Sequence, residues 1–225
     1  MINLDAIISA PVINDPWPYK IIDNILDPET FNRLSQAAVF LSGVEKDDQY
    51  YTDGIWPSEF VRLGLDQKLA DDVTKIADQL LTINKDILLQ FPDHLESQVG
   101  YYNIPRFNYS IGKVNSAIHD EGHSKTMALI IYLIPEKTLG TRLYNGPNQE
   151  NFVKEVEWKP NRAMLMISQP GVTWHSYVGN SAARYTLNLY FEKMESLSNL
   201  DNVKLERKLW FYDMMGQNKL HIINS

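Results

Sequence analysis

The chain has 225 residues and a formal net charge of −7, with 44% hydrophobic residues, 22% charged residues and no cysteine. A chain of this length and composition buries enough apolar surface to fold without disulfides or a structural metal. The absence of cysteine excludes disulfide scaffolds, thiolate metal sites, iron–sulfur clusters and cysteine nucleophiles. An acidic chain without a basic run is poorly suited to grip a phosphate backbone, which disfavours a nucleic-acid partner.

The sequence contains no pattern typical of a membrane or secreted protein. Its first residues lack the basic and apolar segments of a signal peptide, and the longest apolar run, residues 127–135, is too short to span a bilayer. We therefore expect a soluble, cytoplasmic protein with no membrane partner.

Helical patterns dominate the N-terminal part. Residues 19–25 predict a short strand, and Asp27 followed by Pro28 is typical of a helix N-cap with proline at the first helical position. This first helix is expected to end near Phe40. Apolar residues at steps of three and four predict one long helix over residues 65–90.

From residue 99 the pattern changes to alternation of β-branched and aromatic residues, which predicts strands. Eight strands are expected between glycine and proline turns, over residues 99–109, 113–119, 126–134, 142–144, 152–157, 162–168, 172–177 and 183–191. Such a series predicts a mainly β fold with buttressing helices (α+β), a double-stranded β-helix of the jelly-roll or cupin-like kind. We predict one domain, made of a helical part at 1–98, a jelly-roll core at 99–192 and a C-terminal extension at 193–225.

The C-terminal extension contains a predicted helix over residues 205–215. It carries a group of large apolar side chains: Trp210, Phe211, Tyr212, Met214 and Met215. Three interpretations are open, namely a lid, a contact through which copies of the chain form an oligomer, and core packing, which is the commonest role of such clusters.

Candidate metal ligands cluster around His119. Side chains two residues apart on a strand share a face, so His119 and Glu121 are expected to converge while Asp120 points away. His175 lies on a later predicted strand, and two histidines with one carboxylate form the facial arrangement that holds non-haem Fe(II). The alternative is that this segment is a polar turn and His175 a packed side chain. His123 would reach the site if the strand ends just before it.

A second candidate group lies on the last predicted strand. Strict alternation places Arg184, Thr186, Asn188 and Tyr190 on one face. An arginine within a strand is costly to bury unless an anion meets it, and a carboxylate is its natural bidentate partner. Thr186 could donate a further hydrogen bond to that anion. The alternative is an edge strand on which Arg184 is solvated and takes part in an internal salt bridge.

Together these features resemble the Fe(II)/2-oxoglutarate-dependent dioxygenases, in their prolyl-hydroxylase-like branch. The resemblance covers residues 101–192 and rests on a series of short motifs: Tyr109 and Gly112 ahead of His119-x-Glu121, the run Leu129–Leu133, Gly140–Tyr144, Pro160–Ala163, Trp174-His175 and Arg184-Tyr185-Thr186. Residues 17–26 also look like the strand that opens such domains.

The resemblance implies a role for each candidate. The iron ligands would be His119, Glu121 and His175. Four further residues would hold or surround 2-oxoglutarate: Arg184 on its distal carboxylate, Thr186 and Tyr132 as hydrogen-bonding helpers, and Tyr109 in the pocket wall near the metal. One departure is Glu121, where the family usually has aspartate. Glutamate still offers a carboxylate oxygen, so the site would be altered rather than abolished.

The function implied by the resemblance is oxidation of a small-molecule or peptide substrate with Fe(II), 2-oxoglutarate and O2. The expected product is a hydroxylated prolyl or other residue in a peptide, or a hydroxylated free amino acid. The alternative is a catalytically weak or inactive jelly-roll binding protein that retains the pocket, since a fold does not guarantee a function. The departure at Glu121 keeps this alternative open.

Overall fold

The computed structural model describes residues 1–43, 52–91, 101–110, 115–122, 125–179 and 183–193. These residues form five helices, α1 (Leu4–Ser9), α2 (Pro28–Ser42), α3 (Pro57–Phe60), α4 (Gln67–Thr82) and α5 (Asn84–Leu88). They also form nine strands, β1 (Tyr19–Asp23), β2 (Thr52–Ile55), β3 (Tyr101–Ser110), β4 (Lys125–Ile134), β5 (Thr141–Tyr144), β6 (Phe152–Val156), β7 (Arg162–Ile167), β8 (His175–Tyr177) and β9 (Arg184–Lys193).

The strands form two antiparallel sheets. The larger sheet has the order β1-β7-β4-β9-β3-β2, and the smaller one has the order β6-β5-β8. Residues 115–119 run beside β8 and contact it through two isolated bridges, Asn115 with Val178 and His119 with His175. The predicted fold class, a mainly β double-stranded β-helix with helices, is confirmed.

Two apolar clusters cover the two faces of the larger sheet. On one face, α2 and α4 pack through residues such as Leu34 and Val73 against Leu129 and Leu187 of the central strands. On the other face a smaller cluster fills part of the space between the sheets, with these members among others: Trp17, Tyr132, Leu143, Trp158 and Met164. Because the strand side chains alternate, the polar residues of the central strands also face this space between the sheets.

The long helix predicted over residues 65–90 is wrong, because the chain forms α4 and α5 with a break at Ile83. Ile83 leaves helical geometry at φ −116° and ψ 7°, and its N–H bonds to the carbonyls of Leu80 and Leu81. Apolar side chains on both sides of the break, Leu80 and Ile87, are fully buried in the same cluster. The apolar spacing therefore continues across the break and could not indicate it.

Two strands also differ from prediction. Residues 113–119 were expected to form a strand, but the described part, 115–119, contacts the β8 region through two isolated bridges and a few hydrogen bonds without forming a continuous ladder. Strand β2 was not predicted, and it extends the larger sheet by pairing with β3. The predicted helix at 205–215 and its aromatic and methionine cluster lie outside the described residues. Within the described ranges, no helix has the length and apolar character needed to cross a bilayer.

Gly140 allows β5 to lie close to β6. A Cβ atom added at Gly140 would lie 1.7 Å from the carbonyl oxygen of Val156, so the backbone would have to move. We expect Gly140→Ala to lower the free energy of unfolding by about 1–3 kcal/mol, the usual cost of overpacking, as measured by urea denaturation. Gly43→Ala is the control, because its added Cβ would approach nothing closer than 3.5 Å. Equal stability of the two variants would contradict the close β5–β6 contact.

Candidate active site

A cavity of about 340 Å³ lies between the two sheets. Strand β9 supplies one wall, where Arg184, Thr186, Asn188 and Tyr190 all border the cavity. The intervening residues Tyr185, Leu187, Leu189 and Phe191 belong to the cluster on the helix side of the sheet. This is the alternation predicted from the sequence.

His119, Glu121 and His175 converge at one end of this cavity. His119 and His175 face each other because their backbones exchange two hydrogen bonds, of 3.0 and 2.8 Å, and their ring centroids lie 4.3 Å apart. The Oε1 atom of Glu121 lies 3.3 Å from Nε2 of His175 and 3.8 Å from Nε2 of His119. Each residue offers one ligand atom, and these atoms all lie within 4.8 Å of one another.

Glu121 reaches the histidines through a turn. Its φ is +66°, and that of Gly122 is +67°, so both residues are left-handed. The expected convergence of His119 and Glu121 is found. It results from this turn and not, as expected, from the alternation of side chains along a strand. A left-handed residue with a side chain costs roughly 1–2 kcal/mol, and such conformations cluster at functional sites.

Asp120 and Ser168 hold this turn in place. The Asp120 carboxylate accepts hydrogen bonds from the N–H of Gly171, at 2.6 Å, and from the N–H of Gly122, at 3.1 Å. These backbone bonds, that from Gly171 foremost, lower the pKa of Asp120. The Ser168 hydroxyl donates to the Gly122 carbonyl at 3.2 Å. Asp120 thus points to a neighbouring loop, as expected, and does not meet the histidines.

The hydrogen bonds of the two histidines fix which ring nitrogen faces the carboxylate. Nδ1 of His119 lies 2.8 Å from the carbonyl of Ala117, and Nδ1 of His175 lies 2.9 Å from that of Thr173. A carbonyl only accepts, so both Nδ1 atoms carry a proton and the Nε2 atom of each ring faces Glu121. Burial, followed by the proximity of His175, lowers the pKa of His119, which favours the neutral ring.

Two ring nitrogens and one carboxylate oxygen therefore lie close enough together to bind one cation. Such a group is stable when a cation lies among its members, and a backbone-bonded Nδ1–H is the usual support of a metal-binding histidine. Burial raises the pKa of Glu121, but the contact with His175 and the charge of Lys125 outweigh it and hold that pKa well below its usual range. The donor set thus fits a divalent metal such as Fe(II).

At the other end of the cavity Arg184 is buried in an aromatic environment. It is 7% exposed, and its guanidinium carbon lies 4.6 Å from the ring centroid of Tyr177 and 5.0 Å from that of Trp158. Burial lowers the pKa of Arg184. Among the described residues no carboxylate lies within ion-pair distance, and the Nε atom has no hydrogen-bond partner. A buried cation in this state fits an anionic ligand.

The hydroxyl groups near Arg184 come from both sheets. Thr186 is buried and borders the cavity one pleat from Arg184. Tyr132 donates a hydrogen bond of 2.8 Å to Oγ1 of Thr141, and its ring stacks on Trp158. Burial raises the pKa of Tyr132, so it remains a donor. Thr141 itself borders the cavity. Tyr132 and Thr186 were predicted from the sequence, whereas Thr141 was not.

Tyr109 borders the cavity, but its ring stacks on that of Tyr185, at 5.6 Å, within the cluster on the helix side. On β3 the side chains of Asn108 and Ser110 alternate with it and line the cavity wall. His123, for which a role was left open, lies outside the described residues.

The rest of the cavity wall is polar. The Tyr190 hydroxyl accepts hydrogen bonds from Nδ2 of Asn188, at 2.8 Å, and from the guanidinium of Arg106, at 3.2 Å. The amide oxygens of Asn108 and Asn188 are buried and have no hydrogen-bond partner. A buried acceptor of this kind is costly unless a ligand or water satisfies it, so this wall can bind a second polar molecule.

No protein-family model matches the sequence, and no curated protein does either. Solved structures do match. A prolyl-4-hydroxylase from Pseudomonas putida has a TM-score of 0.55 and 14% identity, over 84% of this chain and 96% of that one. A Trichoplax adhaerens prolyl hydroxylase, solved with a peptide fragment of hypoxia inducible factor, has a TM-score of 0.55 and 16% identity, over 82% and 87% of the two chains.

A third match is SnoN, a non-heme alpha ketoglutarate dependent epimerase from nogalamycin biosynthesis. It has a TM-score of 0.52 and 12% identity, over 78% of this chain and 77% of that one. Another structure of this epimerase contains Fe³⁺ and alpha ketoglutarate. The chain therefore has the fold of the Fe(II)/2-oxoglutarate oxygenases. The fold is prolyl-hydroxylase-like, and the His–Glu–His group could hold a metal ion.

Proposed function

We propose that this protein is an Fe(II)- and 2-oxoglutarate-dependent dioxygenase in which His119, Glu121 and His175 hold the iron. The proposal rests on one observation, namely that a single cavity contains both a group of metal ligands and a buried cation. Two histidine nitrogens and a carboxylate oxygen converge at one end, and a buried arginine without a described carboxylate partner lies at the other. A co-substrate that combines a metal-chelating group with a distal carboxylate matches both ends.

In this proposal the protein binds and orients the co-substrate. Arg184 would hold the distal carboxylate of 2-oxoglutarate, and Thr186 and Thr141 would donate further hydrogen bonds to it. Trp158 and Tyr177 exclude water from this ion pair and so strengthen it. With iron and 2-oxoglutarate bound, the site supplies O2-dependent oxidation of a substrate C–H bond, with succinate and CO2 as co-products.

The proposed substrate is a prolyl or other residue in a peptide, or a free amino acid. Two of the structural neighbours are prolyl hydroxylases, one of them solved with a peptide. The polar wall of Asn108, Asn188 and Tyr190 supports this class, because it offers amide oxygens to an N–H group and a hydroxyl to a carbonyl or carboxylate.

The test is turnover of 2-oxoglutarate by the purified protein without added substrate. We expect slow formation of succinate that requires both Fe(II) and O2, because oxygenases of this kind turn over uncoupled. Removal of the metal with a chelator should stop succinate formation, and Fe(II) but not Zn(II) should restore it. Zn(II) occupies similar ligands without redox chemistry, so it is the matched control.

The competing candidate is a jelly-roll binding protein without turnover. It predicts binding of 2-oxoglutarate in calorimetry and no succinate under any metal condition. That combination of results would overturn the proposed oxygenase.

A further inference from the structure

The two carboxylate oxygens of Glu121 have different partners. Oε1 faces the histidines, as described above, whereas Oε2 forms an ion pair with Nζ of Lys125. Both side chains are largely buried, with 4% of Glu121 and 20% of Lys125 exposed. The lysine therefore holds the oxygen that the histidines do not face.

Lys125 is itself held by the larger sheet. It is the first residue of β4, and its Nζ lies 3.9 Å from the ring centroid of Tyr190 on the neighbouring strand β9. A lysine above a tyrosine ring is attracted by the electron-rich face of that ring. Tyr190 is in turn fixed by the hydrogen bonds that Asn188 and Arg106 donate to its hydroxyl. Two central strands thus hold the ammonium in addition to its ion pair with Glu121.

The number of oxygens that Glu121 gives to a metal decides how many positions stay open. A carboxylate can bind a metal through one oxygen or through both. Two histidines and one carboxylate oxygen leave three of six positions open. In the proposed function, 2-oxoglutarate would take two of these positions and O2 the third. A second oxygen from Glu121 would therefore compete directly with the co-substrate.

We propose that Lys125 is a positioning residue that keeps Glu121 a one-oxygen ligand and so reserves the open metal positions for 2-oxoglutarate and O2. This inference rests on the proposed function, because it assigns Glu121 to the metal. It also explains how a glutamate, in place of an aspartate, can serve as a one-oxygen ligand here. The side chain is one methylene longer than aspartate and more able to turn both oxygens toward a metal, and the ion pair with Lys125 opposes that rotation.

The test compares Lys125→Met with Lys125→Arg by two binding measurements. The first is the affinity for Mn(II) or Fe(II), and the second is the affinity of the metal-loaded protein for 2-oxoglutarate, followed anaerobically by the visible charge-transfer band of the Fe(II) chelate. We expect Lys125→Met to bind the metal at least as tightly as wild type but 2-oxoglutarate about tenfold or more weakly, with a weaker band. Lys125→Arg keeps the cation and should restore both.

Lys154→Met is the matched control. Lys154 also forms an ion pair, with Asp15 at 2.9 Å, and also lies near a tyrosine ring, that of Tyr19. It does not border the cavity, so its loss should leave both affinities unchanged. Thermal unfolding of every variant separates loss of binding from loss of the fold, and Lys125→Gln replaces Lys125→Met if the latter does not fold.

Two results would overturn the inference. The first is wild-type affinity for 2-oxoglutarate in metal-loaded Lys125→Met. The second is loss of metal binding in this folded variant. If Lys125 only holds Oε2 of Glu121, metal binding through Oε1 does not require it. Failure of the wild-type protein to bind a metal or 2-oxoglutarate at all would instead overturn the proposed function.

Discussion

Replacing Glu121 by alanine should lower the affinity for Fe(II) by more than about a hundredfold, whereas Asp120→Ala should retain tight binding. Loss of an outer-shell partner of a metal ligand already costs roughly 10–100-fold in affinity, so loss of a ligand should cost more. Only Glu121 faces the histidines, since its Oε1 lies 3.3 Å from Nε2 of His175. A metal titration, with 2-oxoglutarate present to report through the charge-transfer band, measures the effect.

Asp120→Ala is an informative control because it removes the adjacent carboxylate. This variant loses the hydrogen bonds to Gly122 and Gly171 that hold the turn, at a cost to stability of about 1 kcal/mol for each bond. Its metal affinity should stay near that of wild type. If Asp120→Ala loses the charge-transfer band while Glu121→Ala keeps it, then Asp120 and not Glu121 faces the metal.

Glu121→Asp separates the two contacts of this side chain. The shorter residue withdraws the carboxylate by about one carbon–carbon bond, roughly 1.5 Å. It can therefore keep one oxygen near the histidines but should lose part of its ion pair with Lys125. We expect intermediate metal affinity and retained but reduced turnover.

The sequence predicted which residues converge near His119 but not how they do so. Local alternation indicated a shared face for His119 and Glu121, whereas the chain turns through two left-handed residues, Glu121 and Gly122. One of the hydrogen bonds to this turn comes from Gly171, which lies in a distant loop. No local pattern carries a contact of that kind. On β9, where both faces of the strand are buried, the predicted alternation of side chains was right.

Two contacts of the site were not predicted from the sequence. Thr141 reaches the cavity because β5 places it against Tyr132, and Lys125 at the start of β4 forms an ion pair with Glu121. The first contact joins two strands of different sheets, and the second depends on the left-handed turn at Glu121 and Gly122. In the sequence Lys125 looks like an ordinary solvated charge, and Thr141 like a strand residue among others. Arg184, by contrast, was found because a charged residue interrupts an alternating strand.

Replacing Arg184 by lysine should weaken binding of 2-oxoglutarate to the metal-loaded protein by roughly ten- to a hundredfold. Lysine keeps the charge but lacks the planar fork that meets a carboxylate in two places. Loss of one charge-assisted hydrogen bond in a pocket that excludes water costs about 1.5–3 kcal/mol. Arg184 lies against Tyr177 and Trp158, so little water can compensate for the lost bond. Calorimetry on the metal-loaded protein gives the affinity directly.

Arg162→Lys is the matched control for Arg184→Lys. Arg162 also uses its fork on a carboxylate, with hydrogen bonds of 2.7 and 3.1 Å to Asp23, but it does not border the cavity. Its replacement should lower stability and leave the affinity for 2-oxoglutarate unchanged. Metal affinity should be unchanged in both variants, because neither arginine is a ligand. If Arg184→Lys binds 2-oxoglutarate as tightly as wild type, the distal carboxylate must be held at another cation of the cavity wall, and Arg106 beside Tyr190 is then the residue to replace.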